Sequence, residues 1–343
     1  MSRLFYYSGR PAGLLALLLS MVACATPQIQ TTPGVSKPAV LHADRAVMRD
    51  GYELPLSVWR PPGPPQAVVI ALHGFNDYHN AFSGPGVAFA GHGILTYAYD
   101  QRGFGETRQR GIWPGAQALL DDAATVIRLV CAQHPGRPVY LLGESMGAAV
   151  LISLLQGGTP DCVAGVILIA PAVNGWQAMP LWQRSGLWLL AHIAPGYSPT
   201  GTELGVMASD NREMLIGQGR DPLVIKQTRI DSVYGLVGLM DSALAASPQL
   251  TAPALLLTGE KDEIIPAPAT CRMLESLPAA PPGHRRLVLY PDGYHMLTRD
   301  LQAEIVLADM LAWLDDEQTT LPSGYEVGRT DVRLQALCGG PEP

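Results

Sequence analysis

The chain has 343 residues, 48% of them hydrophobic and 15% charged, with a formal net charge of -7. That composition supports a sizeable buried core and argues against a disordered chain. No long Lys/Arg run is present, which argues against a nucleic-acid partner.

The first 25 residues stand apart. Arg3 and Arg10 are the only charged side chains before Lys37, and between them and Cys24 lies "AGLLALLLSMVA", an apolar run short for a bilayer span. A basic start, a short apolar run and small residues describe a secretory signal peptide over 1–25. A buried N-terminal helix is the alternative. The cleavage site reads in two ways. Met21-Val22-Ala23-Cys24 resembles a bacterial lipobox, although Met21 stands where Leu is usual. Lipidated Cys24 would hold the protein at a membrane, on the periplasmic side of the cell envelope. Ala23-Cys24-Ala25 also reads as a small-x-small site for ordinary secretion, leaving a soluble periplasmic or secreted protein. The lipoprotein is the favoured expectation, with 26–41 as a flexible linker.

Export places the remaining cysteines, Cys131, Cys162, Cys271 and Cys338, where disulfides persist. None has the C-x-x-C spacing of a metal site. The expected pairs are Cys131–Cys162, flanking consecutive elements at one end of the predicted sheet, and Cys271–Cys338, tying down an otherwise loose tail at 318–343. Buried free thiols are the alternative.

From residue 42 strand-like and helix-like segments alternate. "HADRAVMRDG" and "ELPLSVWRP" read as two strands joined near Asp50-Gly51. "AVVIALHG" (67–74) is a continuous apolar run, the pattern of a strand buried on both faces. Strands follow at 93–100, 138–144, 163–171, 252–259 and 285–291, with helices predicted at 115–134, 146–156, 267–277 and 301–317. This alternation predicts an α/β fold, with a mostly parallel central sheet and helices on both faces, built from 42–171 and 251–317. Residues 172–250 interrupt it. They offer no convincing strand and contain Trp176, Trp182 and Trp188. A stretch this long reads as a helical cap or lid.

Residues 139–150, "VYLLGESMGAAV", hold a G-x-S-x-G stretch between a predicted strand and a predicted helix. In a nucleophile elbow the Ser sits on a strained turn, and small neighbours let strand and helix approach closely. Gly143 and Gly147 meet that need around Ser145. A serine needs a base and an acid that orients the base. Asp262 follows the strand at 252–259 and His295 follows the strand at 285–291, so both fall at the C-terminal ends of strands, where α/β sheets build their sites. Glu260, Glu263, Asp292 and Asp241 are alternative acids. His284 is the rival base, but it precedes its strand. The oxyanion hole needs two N–H donors. Met146, directly after the serine, supplies one, and Phe75 after His73-Gly74 supplies the other. Gly74 lets the backbone approach the substrate, and His73 is read as a structural hydrogen-bonding residue.

"HGF", "YDQRGFGET", "GESMGA", "GEKDEIIP" and "GYHML" occur in the order seen in α/β-hydrolases. More narrowly they resemble the serine aminopeptidase-like group that includes monoacylglycerol lipases and lysophospholipases. The resemblance covers about residues 42–317. It implies an α/β-hydrolase fold and a serine esterase with no cofactor and no metal. Its partner would be a small acyl ester, with Ser145 as nucleophile, His295 as base and Asp262 as acid. The Trp- and Leu-rich interruption inclines the substrate toward a monoacylglycerol or lysophospholipid, although the same residues equally suit the cap's own core. A serine aminopeptidase or amidase is the alternative, with Glu203, Asp210 and Glu213 as possible amine-binding acids. A non-catalytic envelope lipoprotein on this fold is the remaining reading.

Overall fold

Nine strands form one sheet: β1 (Val40–Leu41), β2 (Arg45–Val47), β3 (Glu53–Trp59), β4 (Ala67–Leu72), β5 (Ile94–Tyr99), β6 (Val139–Glu144), β7 (Val163–Ile169), β8 (Ala254–Gly259) and β9 (Arg285–Tyr290). The structure is a computed structural model, and it describes residues 26–31, 34, 36–199, 205–281 and 283–339. The expected signal peptide, with Cys24, lies outside the described residues. The strand order is β1-β2-β3-β5-β4-β6-β7-β8-β9. The β1–β2, β2–β3 and β3–β5 pairs are antiparallel and all later pairs are parallel.

Every residue of β4, β5, β6 and β8 is buried. Strand alternation explains why these runs are apolar throughout: successive side chains point to opposite faces, and both faces are covered. In β4, Val68, Ile70 and Leu72 join one core while Ala67, Val69 and Ala71 join the other. The helices among the described residues are α1 (Ser83–Gly91), α2 (Ala116–Gln133), α3 (Met146–Leu155), α4 (Leu181–Ile193), α5 (Arg212–Arg220), α6 (Ile230–Ala246), α7 (Ala267–Ser276), α8 (Ala303–Asp315) and α9 (Val332–Cys338). Helices α2, α3, α6 and α7 fill the larger core on one face. Helices α1 and α8, with Phe89, Met310 and Trp313, close the other.

Three segments make contacts that the sequence does not announce. The interruption at 172–250 holds only helices and loops among its described residues, but its last helix, α6, buries Leu236, Leu239 and Ala243 in the main core. The expected linker at 26–41 is docked where it is described. Gln30 is buried, and its side-chain amide donates to the Ile112 carbonyl at 2.9 Å while its N–H donates to Trp113 O at 3.0 Å. Those carbonyls lie in a loop without sheet partners, and buried acceptors need donors. The tail is held by the expected Cys271–Cys338 bond and by the sheet as well. Strand β9 is the sheet edge, and the tail covers it: Val327 N–H donates to Leu287 O at 2.9 Å, Leu289 N–H to Tyr325 O at 3.1 Å, and Arg286 pairs with Glu326. An uncovered edge is an aggregation liability. Disulfides join Cys131 of α2 to Cys162 ahead of β7, and Cys271 of α7 to Cys338 of α9.

Candidate active site

The site is assembled by strand register. Leu72 at the end of β4 pairs with Gly143 near the end of β6, so the loop carrying His73, Gly74 and Phe75 leaves the sheet beside the turn carrying Ser145. Gly259 at the end of β8 pairs with Tyr290 at the end of β9, so the Asp262 and His295 loops also leave side by side.

Ser145 has φ 53° and ψ -112°, a left-handed conformation for a residue with a side chain, and it is the N-cap of α3. Such conformations cost about 1–3 kcal/mol and persist only where the surroundings enforce them. The surroundings are visible. Ser145 N–H donates to Ile169 O at 2.9 Å, and Ser145 O accepts from Ala149 at 3.1 Å and from Ala172 at 3.1 Å. A Cβ on Gly143 would lie 2.6 Å from backbone atoms of Ala148, and one on Gly147 would lie 2.0 Å from the Leu72 carbonyl oxygen. Both positions exclude any side chain, which is the steric demand of a strand turning directly into a helix.

His295 and Asp262 are brought together: Nδ1 of the ring lies 2.8 Å from Asp262 Oδ2, with both side chains buried. Asp262 Oδ1 accepts from the N–H groups of Ile264 at 2.8 Å and Ile265 at 3.0 Å. An acceptor carboxylate on Nδ1 puts the ring proton there and leaves Nε2 with the free lone pair. The two loops are zipped by Glu260 N–H to Tyr290 O at 3.0 Å and Lys261 N–H to Gly293 O at 2.9 Å. Of the alternative acids, Glu260 keeps Oε1 buried without a hydrogen-bond partner, and the other three are engaged elsewhere. Glu263 accepts from the Met207 N–H at 2.7 Å, Asp292 pairs with Lys261 at 2.6 Å, and Asp241 packs against Gly175. The rival His284 caps the Thr251 carbonyl at 2.8 Å on the surface.

Met146 is the first residue of α3, so its N–H is among the four amides a helix leaves without an internal acceptor. A Cβ on Gly74 would lie 3.4 Å from Ser145 Cβ, which puts the loop leading to Phe75 directly against the serine. His73 shapes that loop. Its Nε2 accepts from the Gln101 N–H at 2.9 Å, so the proton is on Nδ1, which donates to Gly74 O at 2.7 Å. Burial holds its pKa below the usual histidine value, and the ring is neutral. Asp100 is also structural: its carboxylate accepts from His79 N–H at 2.9 Å and Glu106 N–H at 2.8 Å.

The cap leaves the sheet at Ala172, beside Ser145, and its irregular segment 207–211 returns across both partner loops. Beyond the Met207–Glu263 bond, Ala208 O accepts from Met296 N–H at 3.0 Å and Ser209 Oγ donates to Asp300 Oδ1 at 2.6 Å. Asp300 Oδ2 in turn accepts from the N–H of Tyr294, the residue before His295, at 2.8 Å. The sequence offered no signal for this strap. Of the possible amine-binding acids, Asp210 accepts from Leu301 N–H at 2.8 Å, Glu213 sits in the first turn of α5, and Glu203 lies outside the described residues. Between α4 and α6, a cavity of about 560 Å³ is lined by Trp176, Leu181, Arg184, Ser185, Trp188 and Tyr234. Among the described residues no group of three or more His, Cys, Asp or Glu could hold a metal ion.

The family model described as "Serine aminopeptidase, S33" matches residues 63–302. The chain is 27% identical over 266 residues to a monoacylglycerol lipase of Mycolicibacterium smegmatis, covering 77% of this chain and 93% of that protein. Its fold is similar to the crystal structure of Paleococcus ferrophilus monoacylglycerol lipase, with a TM-score of 0.65 at 23% identity over 78% of this chain and 100% of that one. It is also similar to a soluble variant of monoglyceride lipase from Saccharomyces cerevisiae in complex with a substrate analog, with a TM-score of 0.67 at 19% identity over 85% and 100% of the two chains.

Proposed function

Because the chain belongs to the serine aminopeptidase S33 family, we propose that it is a serine hydrolase that cleaves acyl esters, with monoacylglycerol-lipase-like activity. The observation that carries this reading is the 2.8 Å Asp262–His295 pair, on loops that leave the same edge of the sheet as the left-handed Ser145. In this mechanism Nε2 of His295 takes the Ser145 proton as Oγ attacks the acyl carbonyl. Asp262 holds the ring and compensates the imidazolium that forms. The N–H groups of Phe75 and Met146 receive the developing oxyanion. His295 then gives its proton to the leaving alcohol, and water cleaves the acyl-enzyme by the same steps with His295 again the base.

The choice of an acyl chain with a small alcohol is supported by the relatives' activity and by the cap. Helix α4 buries only Ala191, leaving Leu181 and Trp182 77% and 73% exposed. A cap folding around its own core would bury such residues. An exposed apolar surface and a cavity lined in part by Trp176, Leu181 and Trp188 suit a lipidic substrate instead. The test is a panel of glycerol and p-nitrophenyl esters of graded acyl length. We expect turnover that rises with acyl length. Faster cleavage of aminoacyl amides than of esters would overturn the ester assignment.

A further inference from the structure

Arg299 lies four residues beyond His295 and is absent from every motif in the sequence. Its Nη1 donates to Asp77 Oδ2 at 2.6 Å, and its Nη2 donates to Glu144 Oε1. Glu144 immediately precedes Ser145, and Asp77 stands two residues beyond Phe75. One guanidinium thus joins the elbow, the oxyanion loop and the His295 loop. The cap adds two contacts to the same cluster: Gln218 Nε2 donates to Asp77 Oδ2 at 3.1 Å, and Asn211 Nδ2 donates to the Arg299 carbonyl at 3.0 Å. The side chains of Arg299, Asp77 and Glu144 are 14%, 7% and 2% exposed.

The cluster is poorly built for stability alone. It holds two carboxylates against one cation, and Glu144 Oε2 and Arg299 Nε are buried without hydrogen-bond partners. Removing charges from water is costly, and buried ion pairs are often matched or improved upon by neutral residues of similar volume. What neutral residues do not reproduce is geometry. A guanidinium is a planar fork whose N–H groups fix two acceptors at set directions and spacing. Here the two acceptors belong to the two segments that carry the nucleophile and an oxyanion donor.

We propose that Arg299 is a positioning residue, whose bridge between Glu144 and Asp77 holds Ser145, the Phe75 N–H and His295 in one register. The proposal rests on the ester-hydrolase reading. Misplacement of reacting groups by about 1 Å costs about 100-fold in rate. The loss appears in kcat rather than KM when the geometry matters only in the transition state.

The decisive variant is the triple Asp77→Asn, Glu144→Gln, Arg299→Met, which removes all three charges and leaves none unpaired. It is expected to unfold at a temperature close to the parent's, with kcat on a short ester lower by about 30- to 100-fold and KM within about threefold. Phosphonylation of Ser145 by a fluorophosphonate should slow in parallel. Arg299→Lys supplies a single compact ammonium in place of the fork and should give a smaller loss in kcat with the same unchanged KM. A folded triple variant with the parent's kcat overturns the proposal. So does failure of both variants to fold, which would assign the cluster to stability. A parent that neither turns over esters nor reacts with the fluorophosphonate rejects the hydrolase reading itself, a result distinct from variants that match an active parent.

Discussion

At Gly147 a methyl group would meet the Leu72 carbonyl oxygen at 2.0 Å, and a backbone oxygen in a buried strand cannot move aside as a flexible side chain can. Gly147→Ala should therefore destabilise the fold by about 3 kcal/mol or more in urea unfolding and remove activity with it. Gly186 in α4 has open space around its Cβ position, so Gly186→Ala should stabilise by about 0.5–1 kcal/mol. Equal effects at the two sites would contradict the steric account of the elbow. His73 supports a pH prediction. Its neutral ring is required by the bond that Nε2 accepts from the Gln101 N–H, and burial depresses its pKa below 6.5. As pH falls below 6.5 the unfolded chain gains a proton here that the folded chain refuses. Stability is thus fully present above that pH and falls by about 1.4 kcal/mol per unit below it, until the folded pKa is reached. The gap in urea midpoint between the parent and His73→Gln should narrow from pH 7.5 to pH 5. A gap independent of pH would show that the ring is not held neutral. Gly143, Gly147 and Ser145 were legible because the elbow is a local motif. Arg299 was not, since its partners are 155 and 222 residues away along the chain.

Among the elements, the apolar runs that became β4 to β8 were readable from continuous hydrophobicity. The loop docking around them was not. The segment at 26–41 and the tail beyond 318 have the polar, Pro- and Gly-containing composition of linkers, yet each completes hydrogen bonds that the sheet and its loops leave open. Such a role depends on what lies alongside, which local composition does not encode. Helix α6 is similar: in sequence an apolar helix reads the same whether it packs on a lid or on α3. The two disulfides act at this scale. They close loops separated by 31 and 67 residues, and the chain-entropy account gives about 3.7 and about 4.4 kcal/mol. Cys271→Ala with Cys338→Ala should lower the unfolding free energy by up to the second of these amounts and loosen α9, read as faster amide exchange at Val327 and Leu334. Unchanged exchange there would mean that the β9 edge contacts alone hold the tail.

Across the whole molecule the sheet order performs the assembly. Strands distant in sequence end side by side, and four loops converge at one edge: those after β4, β6, β8 and β9. The order of Ser145, Asp262 and His295 along the chain was readable in advance because each follows a strong apolar run. Their convergence required the register, and the strap at 207–211 that ties the cap to the acid and histidine loops emerged only in three dimensions. The proposed function makes Ser145 the nucleophile of an ester hydrolase. Its most direct test is ester turnover by the parent and by Ser145→Ala, with mass spectrometry of the fluorophosphonate adduct on the parent. An adduct on Ser145 and a loss in kcat of about 10⁴- to 10⁶-fold in the variant are expected. Undiminished turnover by Ser145→Ala, or an adduct on another residue, would contradict the proposed function.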